Sequence, residues 1–135
     1  MKRRSKDPQD ILLGAHFSIA GGLHKAIFTA SEYECTALQI FTKNSNQWKE
    51  RTLTDEDIAR FNEARELTGI ESICSHTSYL INLGSPEKSK FNRSIKALKH
   101  ELMRSSQLSI PYVVMHPGSH MGKGEDKGMR RIAHG

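Results

Sequence analysis

The chain has 135 residues, enough for one folded unit and too few for two independent domains. Hydrophobic residues make up 36% and charged residues 26%, which excludes collagen-like, mucin-like and strongly disordered classes. The formal charge of +5 is concentrated at the ends: residues 1–6 hold four basic and no acidic side chains, residues 123–135 hold four basic and two acidic, and residues 7–122 hold twelve basic against thirteen acidic. A charge arranged in this way reads as a solvated tail and identifies no partner by itself.

No apolar run approaches the roughly 18 residues of a membrane span, and the opening Met-Lys-Arg-Arg-Ser-Lys-Asp-Pro has no apolar core of a signal peptide behind it. The expectation is a soluble cytoplasmic protein with no membrane partner, with residues 1–10 as a basic tail and 11–135 as one unit. Cys35 and Cys74 are single and flanked by apolar residues, a pattern of core thiols in a reducing compartment.

Ile11–Ala15 is an apolar run that ends at His16, and Gly21-Gly22 then opens a segment in which Leu23, Ala26, Ile27 and Ala30 recur at helical spacing. Ala37–Phe41 reads as a second strand, followed by a polar loop from Thr42 to Thr52 with the only Trp, Trp48. Thr54 and Asp57 have the spacing of a capping box. Ile58, Phe61, Ala64 and Leu67 share one side of the helix they open, and Gly69 stops it.

Ile70–Ser75 is a third strand, ending at His76. Ser85-Pro86 predicts the start of a helix whose apolar stripe is Phe91, Ile95, Leu98 and Leu102, with Lys88, Lys90, Arg93, Lys96, Lys99 and Arg104 on its solvent side. Tyr112–Met115 is a fourth strand, ending at His116.

Strands that alternate with helices in this way call for parallel pairing with crossover helices, either in an open α/β sheet or in half of a (β/α)8 barrel. Gly14, Gly21 and Gly22 do not have the G-x-G-x-x-G spacing and no Walker loop occurs, so no nucleotide cofactor is expected. His16, His76 and His116 stand at strand ends. In parallel α/β architecture those ends meet on one rim, where neutral imidazoles are good ligands for zinc, iron or manganese. A single His at a strand end is more often a hydrogen-bonded structural residue; three in the same position favour a site. Four residues beyond His116, His120 is a candidate for its surroundings. His24, His100 and His134 fall in helical or terminal segments. Strand-end carboxylates, G-x-S-x-G and a thiol nucleophile in a suitable setting are all absent.

Four blocks in order, Leu13-Gly-Ala-His-Phe-Ser-Ile-Ala-Gly-Gly22, Gln39-Ile-Phe-Thr-Lys-Asn-Ser-Asn-Gln-Trp48, His76-Thr-Ser-Tyr-Leu-Ile-Asn-Leu83 and His116-Pro-Gly-Ser-His120, resemble the N-terminal part of the endonuclease IV family of apurinic/apyrimidinic endonucleases. The resemblance runs from about Leu12 to the end of the sequence. It implies the first half of a TIM barrel and a zinc-dependent phosphodiesterase of base excision repair, which uses three zinc ions to cut 5′ to an abasic site in double-stranded DNA. It also implies that His76 and His116 are zinc ligands, that His16 lies near the site, and that Asn44 and Gln47, with Tyr79 and Leu80, contact DNA.

Tyr79-Leu80 would be the wedge in the base stack. Position 46 is Asn, where some relatives carry an Arg that enters the duplex, a departure that weakens the case for insertion from this loop. The family's carboxylate ligands come from later strands. The final Met129-Arg-Arg-Ile-Ala133 resembles the opening of the next barrel helix, so the expectation is a truncated copy or fragment that is inactive alone. The rival readings are a non-catalytic fragment with weak or no DNA binding and a sugar isomerase-like metal barrel.

Overall fold

The computed structural model describes residues 11–49 and 51–135; the basic segment 1–10 lies outside them. Four strands, β1 (Gly14–His16), β2 (Ala37–Phe41), β3 (Ser72–His76) and β4 (Tyr112–Val114), alternate with four helices, α1 (Leu23–Glu32), α2 (Asp55–Thr68), α3 (Lys88–Gln107) and α4 (Glu125–His134). The sheet has the order β1-β2-β3-β4, and every pairing is parallel. Sequential order with right-handed crossovers carries the connecting helices to one face and leaves the other face bare. Among the described residues no helix is long and apolar enough to cross a membrane.

The period-2 alternation sorts the two faces. Leu38, Ile40 and Ile73 are buried under the helices with Ala26, Ile27, Phe61, Ala64 and Leu108. Phe61 is fully buried, worth about 1.5–3 kcal/mol in transfer free energy. The opposite face carries Ala37, Gln39, Phe41, Ser72, Cys74 and His76, and Ala37, Gln39, Ser72 and Cys74 line an open trough of about 540 Å³ with His16 at one end. Cys35 packs against the core as expected, whereas Cys74 lies in the trough and takes a hydrogen bond from Gln39 Nε2 at 3.7 Å. Both thiols are free.

The capping box forms as the sequence predicts. The Asp57 amide donates to Thr54 Oγ1 and the Thr54 amide to Asp57 Oδ2, each at 3.1 Å. That Thr54 amide bond holds the Asp57 carboxyl below its ordinary range. Gly69 ends α2 at φ 73°, a left-handed position that favours glycine.

Several boundaries and faces differ from the sequence expectation. Residues 11–13 are not strand, because the Thr36 hydroxyl takes the Leu13 amide at 2.8 Å and ladder pairing begins only at Ala37; Ile11, Leu12 and Leu13 are exposed. α3 starts at Lys88, since Ser85 Oγ accepts the Glu87 amide at 3.3 Å in a local turn. α4 starts at Glu125, four residues before Met129. Leu67 and Leu102 are half exposed.

The fully buried face of α3 is Ser94, Ala97, Glu101, Arg104 and Ser105, while Ile95 and Leu98 of the apolar stripe are only partly buried, against the cluster of Ile81, Leu83 and Ala97. Arg104, expected on the solvent side, is 5% exposed. Small side chains let the helix close on the sheet, and polar ones find partners there: the Ser75 and Ser105 hydroxyls share a 2.8 Å hydrogen bond, and Thr42 Oγ1 donates to the Glu101 carboxylate at 2.9 and 3.0 Å.

Candidate active site at the strand ends

His16 and His76 are the last residues of β1 and β3, and both lie on the bare face. β4 ends at Val114, so His116 stands two residues past the ladder, on the loop that leaves it. The rim still draws them together. Ring centroids of His76 and His116 are 5.1 Å apart, and those of His16 and His76 are 6.5 Å apart. Phe41 lies opposite His76 in the β2–β3 register and sits between the imidazoles, 4.5 Å from His16 and 5.5 Å from His76.

Tyr79, 62% exposed, leans over this floor at 5.3 Å from Phe41, 5.6 Å from His76 and 6.1 Å from His116. The sequence reading missed Phe41. Its signal was the alternation itself, which puts residues 37, 39 and 41 on the face that carries the histidines.

The imidazoles are oriented by their own neighbourhoods. His76 Nδ1 donates to the Thr77 carbonyl at 2.7 Å, and His16 Nδ1 donates to Gln39 Oε1 at 3.0 Å. A carbonyl only accepts, so the neutral form of each ring is the tautomer with its lone pair on Nε2, the arrangement seen in metal-ligating histidines. His120 has another occupation. Its Nδ1 accepts the Gly124 amide at 3.2 Å at the start of α4.

Gly118, between His116 and His120, has φ 126°, and a Cβ there would come within 2.5 Å of Asn82 Oδ1. Asn82 also accepts the Ser119 amide at 2.8 Å and the Gly84 amide at 2.9 Å, so the loops after β3 and β4 are tied together.

Donor chemistry suits His76 and His116 to a metal ion, but the described residues form no group of three or more His, Cys, Asp or Glu that could hold one. Two imidazoles are part of a site and do not close it.

Two loops rise beside the histidines. Asn44 and Gln47 are exposed on the loop between β2 and α2, which turns as Asn44 Oδ1 accepts the Asn46 amide at 2.9 Å. The buried Lys43 donates Nζ to the Gln47 carbonyl at 3.0 Å. Trp48 is an anchor, packed against Ile81, Leu83 and Ala97, with the Arg93 guanidinium 4.5 Å from its ring centroid.

The second loop carries Tyr79 and the half-buried Leu80. Ser78, which the sequence reading did not single out, ties the two loops by donating its hydroxyl to the Ser45 carbonyl at 2.5 Å while accepting the Leu80 amide at 3.2 Å. Its signal in the sequence is its place in the block His76–Leu83, which does not say what a Ser there bonds to.

Comparison with known proteins agrees with the fold, a run of parallel strands alternating with helices. A family model described as xylose isomerase-like TIM barrel matches residues 27–135. The protein named Probable endonuclease 4 of Geobacter sulfurreducens is 45% identical over 120 residues, covering 89% of this chain and 40% of that protein. Its namesake in Nitrosopumilus maritimus is 42% identical over 125 residues, covering 91% and 45%. The crystal structure of endonuclease IV from Thermus thermophilus superposes with a TM-score of 0.73 at 32% identity, over 90% of this chain and 48% of that one. The chain thus spans less than half the length of these relatives.

Proposed function

The chain belongs to the xylose isomerase-like TIM barrel family, and from that premise we propose that it is the N-terminal half of an endonuclease IV-type enzyme acting on abasic sites in double-stranded DNA. The observation that carries this reading is the convergence of His16, His76, His116 and Tyr79 on one rim, with two tied loops beside them.

His76 and His116 are the residues of this chain that would hold zinc, through Nε2 in the case of His76, and His16 lies beside them. Zinc in such a site lowers the pKa of a bound water and neutralises charge on a phosphodiester. The two imidazoles need carboxylate partners, and in this reading those come from the other half of a full barrel.

Tyr79 and Leu80 act on the duplex. An abasic nucleotide has no base to unstack, so opening the helix there costs less than at a paired base, and an exposed aromatic followed by an aliphatic side chain fills the gap. Asn44 and Gln47 offer amide donors and acceptors to phosphates or base edges.

The test is a chimera in which residues 11–135 replace the matching part of Thermus thermophilus endonuclease IV, assayed on duplexes with and without one abasic site. Zinc-dependent incision 5′ to the abasic site, leaving an extendable 3′-hydroxyl, is expected. A folded, zinc-loaded chimera that leaves the abasic duplex intact, or cuts both duplexes alike, would overturn the proposal.

A further inference from the structure

One buried guanidinium joins both ends of the loop between β2 and α2. Arg104 donates Nε to Thr42 Oγ1 at 3.0 Å and one terminal nitrogen to the Thr42 carbonyl, at the start of the loop; its other terminal nitrogen donates to the Arg51 carbonyl, near the loop's end. A buried cation is costly unless it is paired and hydrogen-bonded, and these bonds, with Glu101 alongside, meet that cost. A planar fork of fixed donors can span two separate carbonyls, which an ammonium on a flexible stem cannot hold in the same geometry. Arg93, about three helical turns earlier on α3, reaches the same loop nearer its tip, over the Trp48 ring.

We propose that Arg104 is a positioning residue: it staples the loop closed from behind, so that Asn44 and Gln47 are presented to DNA without Arg104 touching DNA itself. The claim about DNA rests on the functional reading above; the staple does not.

Trp48 is the only Trp in the chain and lies on this loop between the two stapled ends, so its emission reports the order of the loop. In Arg104→Lys, which keeps the charge and loses the fork, Trp48 emission is expected to shift to the red with increased acrylamide quenching. Amide exchange at 44–47 should accelerate on the order of tenfold while exchange at Ala26, Ile27 and Ala30 in α1 stays as in the parent chain, and affinity for an abasic duplex should fall by a similar factor. Should Arg104→Lys fail to fold, Thr42→Val, which removes the hydroxyl shared by Arg104 and Glu101 and keeps both carbonyl partners of the guanidinium, should give the same pattern at smaller amplitude.

Unchanged Trp48 quenching and loop exchange would overturn the staple whatever happens to DNA binding, as would acceleration spread evenly over α1 and the loop. A loosened loop with unaltered duplex affinity would uphold the staple and overturn its role toward DNA.

Discussion

His76 and His116 lie with their rings 5.1 Å apart although an entire helix and a strand separate them in the chain. Parallel pairing is the cause: β3 and β4 run side by side, and what leaves their C-terminal ends must meet.

If these two residues are ligands, their loss should remove chemistry before it removes the fold. His116 is exposed and stands beyond the strand ladder, so His116→Ala in a full-length chimera should keep the melting temperature of the zinc-free parent. Its loss of incision should exceed the 10–100-fold typical of removing an outer partner of a metal ligand. His24→Ala, on α1, should cost far less. Equal losses from both substitutions would show that His116 is not a ligand.

The capping box gives a prediction independent of function. Thr54→Ala removes the acceptor of the Asp57 amide and should cost about 1 kcal/mol, or about 3–5 °C in melting temperature at fixed protein concentration. An unchanged Tm would mean that the first turn of α2 finds another partner.

Elements whose signals are local were legible in the sequence. α1, β2, α2 and β3 follow from apolar spacing and from Thr54, Asp57 and Gly69, and the rim histidines follow from the apolar runs that stop at His16, His76 and His116. What stayed hidden depends on partners remote in sequence. Arg104 looks like Lys96 and Lys99 on the charged stripe of α3, and only the approach of Thr42 and Arg51 distinguishes it. Leu102 reads as inward by its spacing, yet apolar spacing says nothing of a helix that packs through Ser94, Ala97 and Ser105. The family blocks single out Asn44 and Tyr79 and contain Ser78 as well, but that Ser78 links the two loops depends on the Ser45 carbonyl, 33 residues away.

Glu101 predicts a pH dependence. Burial pushes its carboxyl above the ordinary value of 4.5, against the opposing effects of the Thr42 hydroxyl and the Arg104 charge. The folded state therefore binds this proton more tightly than the unfolded state. The stability it contributes is fully present below about pH 4.5 and is lost as pH rises through the higher folded value. Asp57 runs the other way: its carboxyl is held below 3.8, so its contribution is present above that value and lost as pH falls through the folded one. Urea titrations between pH 4 and 8, about the range in which protein stability is usually greatest, should show Glu101→Gln with a flatter fall of stability toward high pH than the parent. Parallel curves would exclude Glu101 as the source.

Both edges of the sheet are open among the described residues: β1 pairs only with β2, and β4 only with β3. Beside them Ile11 is 82% exposed, Leu13 72% and Tyr112 70%. Unpaired amides and carbonyls next to apolar side chains are a template for another strand, and neither strand carries a lysine or proline that would discourage pairing. Rotation by half a turn about the axis of a barrel keeps strand directions, so the β4 edge of one copy is parallel to the β1 edge of a second, and two such contacts close a ring of eight strands. A polypeptide of these 135 residues is accordingly expected to elute above its monomer mass in size-exclusion chromatography. Replacing Tyr112 by Lys on the β4 edge should shift it toward monomer. A monodisperse parent monomer with a sharp thermal transition would show that the edges are protected without a second copy and would refute this prediction.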